Sequence, residues 1–284
     1  MQLSDFHYVI PDELIADQPP KVRGTTRLLT LDRITGNVAD KKYADIVGLL
    51  SPGDVLVIND TKVIKARLIA TKPSGGEREL VLVEKHGEAD DWHRHRVIYR
   101  RKLKAGDELT VGKYAIHVEE IVGDGIAIIR SDTDLLQVAD EFGSVPLPPY
   151  MRRDATSEDI ERYQTVWARE QGSVAAPTAS LNMTNEMLEK LQARGIKVVY
   201  ATLHVGLGTF LPIRVDDVTT HKMHQEYFEV PKSTVEAIQV AKKRGNQVVA
   251  LGTTITRTLE YCHDEILNKP AKDLQGEADI FMYP

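Results

Sequence analysis

The stretch 187-MLEKLQARGIKVVYATLHVGLGT-209 decides the fold, because a second stretch, 237-AIQVAKKRGNQVVALGTTITRT-258, follows the same plan. Each reads as a helix that stops at an Arg-Gly pair, then an apolar run, then a turn with Gly and Thr. Glycine directly after a helix suits the left-handed C′ position, and an uninterrupted apolar run is typical of a strand buried on both faces. Two consecutive helix–strand units predict an α/β domain with a partly parallel sheet and functional groups at the strands' carboxyl ends.

The sequence changes in character between residues 61 and 149. Gly-rich or charged turns separate six apolar runs at hairpin spacing, which predict a small antiparallel barrel or sandwich. The runs are 66-ARLIAT-71, 79-ELVLVEK-85, 95-HRVIYRR-101, 108-ELTV-111, 114-YAIHVEEIV-122 and 125-GIAIIRS-131. A short helix over 135–142 should close this region. We therefore predict a discontinuous α/β domain, residues 1–60 and 150–284, into which a small antiparallel β-barrel, residues 61–149, is inserted.

Composition restricts the class of protein. Of 284 residues, 42% are hydrophobic and 27% are charged, as in ordinary soluble globular proteins. The sequence has no apolar run long enough to span a membrane and no secretory signal at its start. A single cysteine, Cys262, excludes an internal disulfide and fits a reducing compartment. These features predict a cytoplasmic protein.

One basic run stands out against a net charge of −6, which argues against a binder of nucleic acid driven by charge alone. Residues on alternate positions of a strand share a face. In 93-HRHRVIYRRKLK-104 that face carries Arg94, Arg96, Arg100, Lys102 and Lys104. The run could contact phosphates, but the pattern alone favours a solvated strand face.

Two turns after predicted strands could bind a ligand. In 203-LHVGLGTF-210, Gly206 and Gly208 would let a ligand approach the backbone beside His204 and Thr209, but the spacing alone favours a tight turn with a satisfied core histidine.

The second turn starts a helix with Thr253 and Thr254, where backbone N–H groups favour anionic or acceptor groups. Threonine is also an ordinary N-cap residue. Arg257, one turn later, favours a site for a carboxylate or phosphate.

Titratable groups are densest in 220-THKMHQEYFEVP-231, which contains His221, His224, Glu226 and Glu229. A histidine near a carboxylate can act as general acid and base near neutral pH. A polar surface loop is the alternative, and the spacing matches no recognised metal-binding helix motif.

Polar residues also follow the apolar strand in 57-VINDTKVIKARL-68. Asn59, Asp60 and Thr61, with Lys62 and Arg67 beyond them, could form a ligand edge or a plain turn.

Several of these motifs occur in order along the whole chain and together resemble one family. They are 14-LIADQPP-20, 52-PGDVLVINDTKVIKARL-68, 146-PLPPY-150, 174-VAAPTA-179, 202-TLHVGLGTF-210, 221-HKMHQEY-227 and 250-ALGTTITRTLE-260. The series closely resembles the S-adenosylmethionine:tRNA ribosyltransferase-isomerases of queuosine biosynthesis.

The resemblance implies a reaction and its partners. The family transfers and rearranges the ribosyl part of S-adenosylmethionine, its co-substrate, onto 7-aminomethyl-7-deazaguanine in the wobble position of a tRNA anticodon. Epoxyqueuosine forms, adenine and methionine leave, and no metal is required. The family fold is an α/β domain with an inserted β-barrel, and the chain is taken to act as a monomer. A tRNA substrate would make the basic strand a phosphate contact.

The resemblance also suggests roles for individual residues. A base must remove a proton from the carbon next to the sulfonium, and an acid must protonate the departing adenine; the candidates, without an order among them, are His204, His224 and Glu226. Arg257 and the Thr253-Thr254 turn could hold the methionine carboxylate or a phosphate. The other expected substrate-binding residues are Asn59, Thr61, Arg67, Pro177, Thr178, Asn182, Gly206, Gly208 and Thr209.

One loop departs from the family pattern P-T-A-G-L-H-F, since this chain has 177-PTASLNM-183. Ser180 replaces a glycine, so left-handed backbone there would cost about 1 kcal/mol or more. Asn182 replaces a histidine and cannot shuttle a proton near pH 7. Met183 replaces a phenyl ring and loses a stacking face. Thr184 is the expected N-cap of the following helix.

Family members normally continue past 279-DIFMYP-284 through a Gly-rich turn and a T-N-F-H-L-P-type segment, whose loss would predict weak or no family activity. Three hypotheses follow: an authentic ribosyltransferase-isomerase, a paralogous S-adenosylmethionine-using enzyme with another acceptor, and a non-catalytic paralog that binds tRNA or S-adenosylmethionine. The altered loop and short end favour the last two, while the retained glycine, histidine and threonine motifs favour an enzyme. We predict the first or a close variant of it.

Overall fold

The computed structural model describes residues 1–86, 91–123, 125–210 and 213–284. Fifteen strands lie in these residues: β1 (Arg27–Leu31), β2 (Val38–Lys42), β3 (Val55–Asn59), β4 (Thr61–Val63), β5 (Arg67–Thr71), β6 (Glu77–Leu82), β7 (Arg94–Arg100), β8 (Glu108–Val111), β9 (Tyr114–Gly123), β10 (Ile126–Arg130), β11 (Glu170–Ser173), β12 (Lys197–Leu203), β13 (Glu226–Val230), β14 (Val248–Ala250) and β15 (Leu274–Ala278). The α-helices are α1 (Ile46–Leu49), α2 (Leu135–Phe142), α3 (Ser157–Arg162), α4 (Asn185–Ala193), α5 (Lys232–Lys243), α6 (Thr253–Tyr261) and α7 (His263–Asn268). No helix in the described ranges is long and apolar enough to cross a membrane.

The two helix–strand units form α4–β12 and α5–β14, as predicted. Each helix is followed by a glycine with positive φ, 85° at Gly195 and 78° at Gly245, which confirms the expected C′ residues. The side chain of Thr184 accepts a hydrogen bond from the amide of Met187 and so caps α4, also as predicted. The local signals in both stretches therefore agree with the fold.

A five-stranded mixed sheet carries both units, in the order β14-β3-β12-β13-β15. The first three strands are parallel, with Val57 paired to Val199 on one side and to Ala250 on the other, while β13 and β15 run antiparallel. The prediction of a partly parallel sheet is confirmed. Its parallel strands end side by side, which brings together the segments that follow Asn59, Leu203 and Ala250.

Both faces of this sheet are covered, which explains the uninterrupted apolar runs. Val55 and Val57 face a core shared with α5 and α6, whereas Leu56 and Ile58 face a core shared with α4. All four side chains are buried. Strand β3 therefore contributes to two hydrophobic layers at once.

The six runs predicted between residues 66 and 131 form a closed antiparallel barrel, with strand order β10-β7-β6-β5-β8-β9. The structure is a barrel and not a sandwich, the other form that the sequence allowed. Its interior is filled by alternating apolar residues such as Leu68, Leu80, Val97, Leu109 and Ile116. Helix α2 occupies 135–142 as predicted, and Asp134 accepts a hydrogen bond from the Leu136 amide at its N-terminus. The placement of domain boundaries at residues 60 and 150 stays a prediction.

Candidate active site

A pocket of about 600 Å³, called the first pocket below, opens beside the segments that follow β12 and β14. Its wall comes from three separated parts of the chain and from two tyrosine rings. The lining residues are Pro148, Tyr150, Tyr163, Ala175, Ala176, Pro177, Thr178, Ala179, Val205, Thr209, Gly252, Thr253 and Thr254. Five of the predicted substrate-binding residues thus meet at one pocket: Pro177, Thr178, Thr209, Thr253 and Thr254.

Asn59 lies beneath this pocket and joins the elements around it. Its side-chain amide donates to the carbonyl of Leu203 at 3.0 Å and to Oγ1 of Thr254 at 3.2 Å. Its Oδ1 accepts from the amides of Thr61 at 3.0 Å and Leu203 at 3.2 Å. The side chain is fully buried, and both its nitrogen and its oxygen are hydrogen-bonded. Asn59 therefore positions Thr254 instead of facing the pocket.

His204 is a buried histidine whose ring contacts a threonine hydroxyl. It follows β12 directly, with only 2% of its surface exposed, and its Nδ1 lies 2.8 Å from Oγ1 of Thr61. That hydroxyl is 2.7 Å from Oγ of Ser173, which accepts a hydrogen bond from the Val205 amide. Burial lowers the pKa of His204 to about 3, and the charges of Lys85 and His86 act in the same direction. His204 is therefore neutral near pH 7 and shapes the turn that follows it.

A second histidine, His224, belongs to a charged cluster with Glu226 and Arg257. The Nε2 atom of His224 lies 3.2 Å from Oε1 of Glu226, an ion-pair distance without hydrogen-bond geometry. The same Oε1 accepts a hydrogen bond from the amide of Gly206 at 2.9 Å. On the other side, Arg257 Nη1 lies 2.5 Å from Oε2. Glu226 is thus fixed by three partners, and the imidazole of His224 remains partly exposed, at 21%.

The glycine turn brings this cluster next to the first pocket. A Cβ at Gly208 would lie 2.4 Å from Cγ of His224, so a side chain there would displace the imidazole. Thr209, the next residue, lines the pocket. The predicted role of Gly208 in close approach is thus explained by packing against His224, while its contact with a ligand stays a prediction.

Arg257 is engaged inside the protein. Besides Glu226, its guanidinium donates to the backbone carbonyls of His224 and Ala278. The residue is 5% exposed and does not line the first pocket. Its geometry suits a residue that anchors Glu226 better than one that holds a substrate carboxylate. The start of α6, with Thr253 and Thr254, supplies free backbone donors at the pocket instead.

The barrel contributes two residues that the sequence analysis missed. Glu84, 6% exposed, follows β6 and packs on the glycine turn, since a Cβ at Gly206 would lie 2.2 Å from its Oε1. His86 Nε2 lies 3.2 Å from that oxygen, and His86 Nδ1 lies 3.3 Å from Glu277 on β15. Burial lowers the pKa of His86, but the hydrogen bond to Glu84 and the charges of Glu84 and Glu277 outweigh it, so the pKa is raised overall. The charged triplet 84-EKH-86, two residues after the end of β6, was the available signal.

The altered loop has no backbone strain at its serine. Ser180 ends a short 3-10 turn, Thr178–Ser180, and positive φ among described non-glycine residues occurs only at Arg101 and Arg152. The expected left-handed cost at Ser180 therefore does not arise. The loop is held by a hydrogen bond from the hydroxyl of Tyr43 to the carbonyl of Ala179 at 2.8 Å. Met183 is fully buried against α4 and acts as a core residue.

Asn182 faces a different cavity of about 200 Å³, called the second pocket. This pocket shares Tyr150, Tyr163 and Thr178 with the first pocket. Its other lining residues are Ala16, Asp17, Gln18, Pro19, Pro20, Met151, Arg153, Asp159, Arg162, Leu181 and Asn182. The two pockets therefore lie on either side of a common wall.

Arg67 was predicted to bind substrate but lies outside both pockets. It projects from barrel strand β5 and pairs with Glu79 at 3.1 Å and Asp154 at 3.0 Å, and it lines neither pocket.

Three of the five basic residues, Arg94, Arg96 and Arg100, lie on β7 at the barrel surface. The prediction of one shared strand face is wrong for Lys102 and Lys104, because β7 ends at Arg100 and the backbone turns at Arg101, whose φ is 68°. Arg94, Arg96, Arg100, Lys102 and Lys104 are all exposed. Arg94 pairs with Glu119 at 2.7 Å, and Arg100 lies 3.7 Å from Glu79. Part of their charge is thus compensated locally.

Within the described ranges, no group of three or more His, Cys, Asp or Glu side chains is placed to hold a metal ion. Cys262 is a free, buried thiol, and burial raises its pKa to about 12, so it is not a reactive thiolate at neutral pH.

Comparison with known proteins gives a consistent result. A family model described as "Queuosine biosynthesis protein" matches residues 3–284. The chain is similar to the S-adenosylmethionine:tRNA ribosyltransferase-isomerase of Chlorobium phaeobacteroides, with 47% identity over 287 residues that cover 100% of this chain and 83% of the relative. The protein of the same name from Chlorobaculum parvum is 49% identical over 286 residues, with the same coverage. The crystal structure of an S-adenosylmethionine tRNA ribosyltransferase from Thermotoga maritima matches with 29% identity and a TM-score of 0.48, over 99% of this chain and 79% of that one.

Proposed function

The chain belongs to the S-adenosylmethionine:tRNA ribosyltransferase-isomerase family of queuosine biosynthesis, and we propose that it carries out the reaction of that family. In this reaction the ribosyl part of S-adenosylmethionine is transferred and isomerised onto 7-aminomethyl-7-deazaguanine in the wobble position of a tRNA anticodon. The product is epoxyqueuosine. The resemblance drawn from the sequence motifs is thus confirmed at the level of the family.

The observation that carries the proposal is the first pocket next to the His224–Glu226–Arg257 cluster. At about 600 Å³ it falls within the range of small-molecule sites, roughly 300–1,000 Å³. Its threonine hydroxyls and the first N–H groups of α6 would receive the methionine carboxylate. The rings of Tyr150 and Tyr163 offer apolar surface for the nucleoside part.

The bound co-substrate supplies a sulfonium, which acidifies the adjacent ribosyl carbon, and two leaving groups, adenine and methionine. We assign proton transfer to His224, since its imidazole is partly exposed and lies beside a fixed carboxylate. Glu226, held by Arg257 and by the Gly206 amide, lies beside that imidazole and orients it. His204 is buried and neutral, so its proposed role is to position the glycine turn through Thr61 and Ser173.

A tRNA substrate gives the exposed basic strand a role as a phosphate contact, which positions the RNA without reading its sequence. A monomer as the working unit is part of this proposal. The use of tRNA supports a cytoplasmic location.

Adenine release tests the proposal. Wild-type protein should release adenine from S-adenosylmethionine when tRNA carrying 7-aminomethyl-7-deazaguanine is present. The substitution His224→Ala should lower kcat by about 10²–10⁴-fold, the usual contribution of a general acid–base group, with little change in the Kd for S-adenosylmethionine. His221→Ala, in the same segment, is the matched control.

The two alternatives give different results in the same assay. Adenine release that does not depend on tRNA would indicate an enzyme with another acceptor. Absence of release under both conditions would indicate a non-catalytic binding protein, and either outcome would overturn the proposal.

A further inference from the structure

We propose that the second pocket is the subsite for the purine-like base that accepts the ribosyl group, and that Asn182 and Gln18 bind the edge of that base. This inference rests on the proposed function, because it assigns a place to that function's second substrate.

Position gives the first argument. Tyr150, Tyr163 and Thr178 belong to the walls of both pockets. A group bound in the second pocket is therefore separated from a ligand in the first pocket by no more than these side chains. A short substituent on a base, such as an aminomethyl group, could reach across at this junction, as the bond-forming step of the reaction requires.

Size gives the second argument. The cavity of about 200 Å³ is smaller than the roughly 300–1,000 Å³ of sites that enclose a whole drug-sized ligand. It suits a single bicyclic ring system, turned out of an RNA loop, better than a complete nucleotide. Tyr150, which is about half exposed, offers a ring face on which such a base can stack.

The charges of the lining residues argue against a phosphate or carboxylate as the occupant. Arg153 donates to both carboxylate oxygens of Asp159, at 2.6 and 2.8 Å, and to the carbonyl of Asp17 at 2.9 Å. Arg162 donates to the carbonyl of Pro20. Arg153 thus holds the wall in place, whereas the Nε of Arg162 has no hydrogen-bond partner among the described residues. The carboxylates of Asp17 and Asp159 balance the two guanidinium charges, so the lining has no net attraction for an anion, and the Asp17 carboxylate is compatible with an aminomethyl group, which is cationic near neutral pH.

The unpaired polar side chains of the second pocket are of the kind that recognise the edge of a nucleobase. Among the residues that the structure describes, no hydrogen bond engages the side chains of Asp17, Gln18 or Asn182. Each carboxamide offers a donor and an acceptor in one plane, which matches the edge of a nucleobase. The carboxylate of Asp17 can accept from ring or amino N–H groups. Asn182 is held in place because Arg23 donates to the carbonyl of Leu181 at 2.7 Å.

Binding of short RNAs tests the assignment without depending on turnover. The probe is an anticodon stem-loop with 7-aminomethyl-7-deazaguanine at the wobble position, compared with the same stem-loop lacking that base. Wild-type protein should bind the base-containing RNA more tightly. Asn182→Ala and Gln18→Ala should each reduce this preference, by up to about tenfold for one lost hydrogen bond, and should leave the Kd for S-adenosylmethionine unchanged within about twofold.

Gln192→Ala is the matched control, since it removes the same carboxamide from an exposed position on α4. Gln18 is exposed, so its substitution should not impair folding, which a thermal melt would verify. An unchanged preference in both variants, or an equal loss of affinity for S-adenosylmethionine, would overturn the assignment, as would a wild-type protein without any preference. A clear wild-type preference without adenine release would instead contradict the proposed reaction and leave the subsite standing.

Discussion

Nη1 of Arg257 lies 2.5 Å from Oε2 of Glu226, and both side chains are at least nine-tenths buried. The pair joins α6 to the first residue of β13, and the same guanidinium reaches the carbonyl of Ala278 at the end of β15. One side chain therefore fixes the carboxylate beside His224 and the two antiparallel strands around it. Such a contact couples the stability of the fold to the geometry of the candidate active site.

Removal of this arginine should cost far more than removal of an exposed one. Arg257→Ala leaves Glu226 buried without its countercharge, and we expect the free energy of unfolding to fall by about 3–5 kcal/mol. Arg94→Ala, which breaks the more exposed pair with Glu119, should cost no more than about 1 kcal/mol. Denaturant unfolding of both variants provides the comparison. A loss below 1 kcal/mol in Arg257→Ala would mean that Glu226 is not held by this pair.

His204 should make the protein less stable in acid. Because burial lowers its folded-state pKa to about 3 from an ordinary 6.5, only the unfolded chain binds a proton between these values. The free energy of unfolding must then rise with pH in this window and decrease as the pH falls below about 6.5. By pH 5 the loss from this residue should reach about 2 kcal/mol. His204→Gln should abolish that share of the pH dependence, and a difference between the two proteins that is constant from pH 5 to 7.5 would contradict it.

His86 should behave in the opposite way. Its folded-state pKa is raised above 6.5, since Glu84 and Glu277 outweigh burial and the opposing charge of Arg96. The stability from these ion pairs is fully present below pH 6.5 and is lost as the pH rises through the raised value. Titration of the imidazole by NMR should give a value above 6.5 that falls in Glu277→Gln. Glu229→Gln, on the neighbouring strand β13, is the control, and titration of wild-type His86 at or below 6.5 would refute the prediction.

The basic strand should contribute to tRNA binding through charge alone. Arg96 is the residue to test, because it is exposed and has no carboxylate at ion-pair distance in the described part of the chain. Arg96→Ala should weaken binding of any tRNA to a similar degree and reduce the slope of log Kd against log salt by about one. Arg33→Ala, in an exposed turn, should change neither. An unaltered salt slope in Arg96→Ala would identify this face as merely solvated.

Local patterns were sufficient to predict the main architecture. The two helix–strand units carried caps, C′ glycines and apolar runs that agreed with one another, and the six barrel strands stood out by their spacing. Weak local patterns did not predict the short or polar elements correctly. The segment 43-YADIVGLL-50 has a helical pattern, but it forms only a 3-10 turn, Tyr43–Asp45, followed by the single turn of α1. Strand β2 was missed because VADKK is polar and fully exposed.

The candidate active site was likewise predicted only in part from the sequence. Sequence patterns selected the glycine turn, the histidine–glutamate segment and the threonine pair, which the fold brings together. They could not show that Arg257 points inward to Glu226, because position on a helix does not reveal which of two partners a guanidinium meets. The contact of Glu84 with Gly206 joins residues more than a hundred positions apart, and the parallel pairing of β4 with β11 is likewise set by tertiary structure.

The loop 177-PTASLNM-183 allows a direct test of whether a catalytic histidine has been lost. In the structure Asn182 lines the second pocket, whereas the proposed proton transfer belongs to His224 beside the first pocket. We therefore expect Asn182→His to change the KM for tRNA while kcat for adenine release changes less than about tenfold, with no new ionisation in the pH dependence of kcat. A missing general acid or base, if restored, would raise kcat by about 10²-fold or more. Steady-state kinetics between pH 5.5 and 9, with Asn182→Ala as the matched variant, separates the two cases, and a hundredfold increase in kcat would show that residue 182 belongs to the proton-transfer machinery.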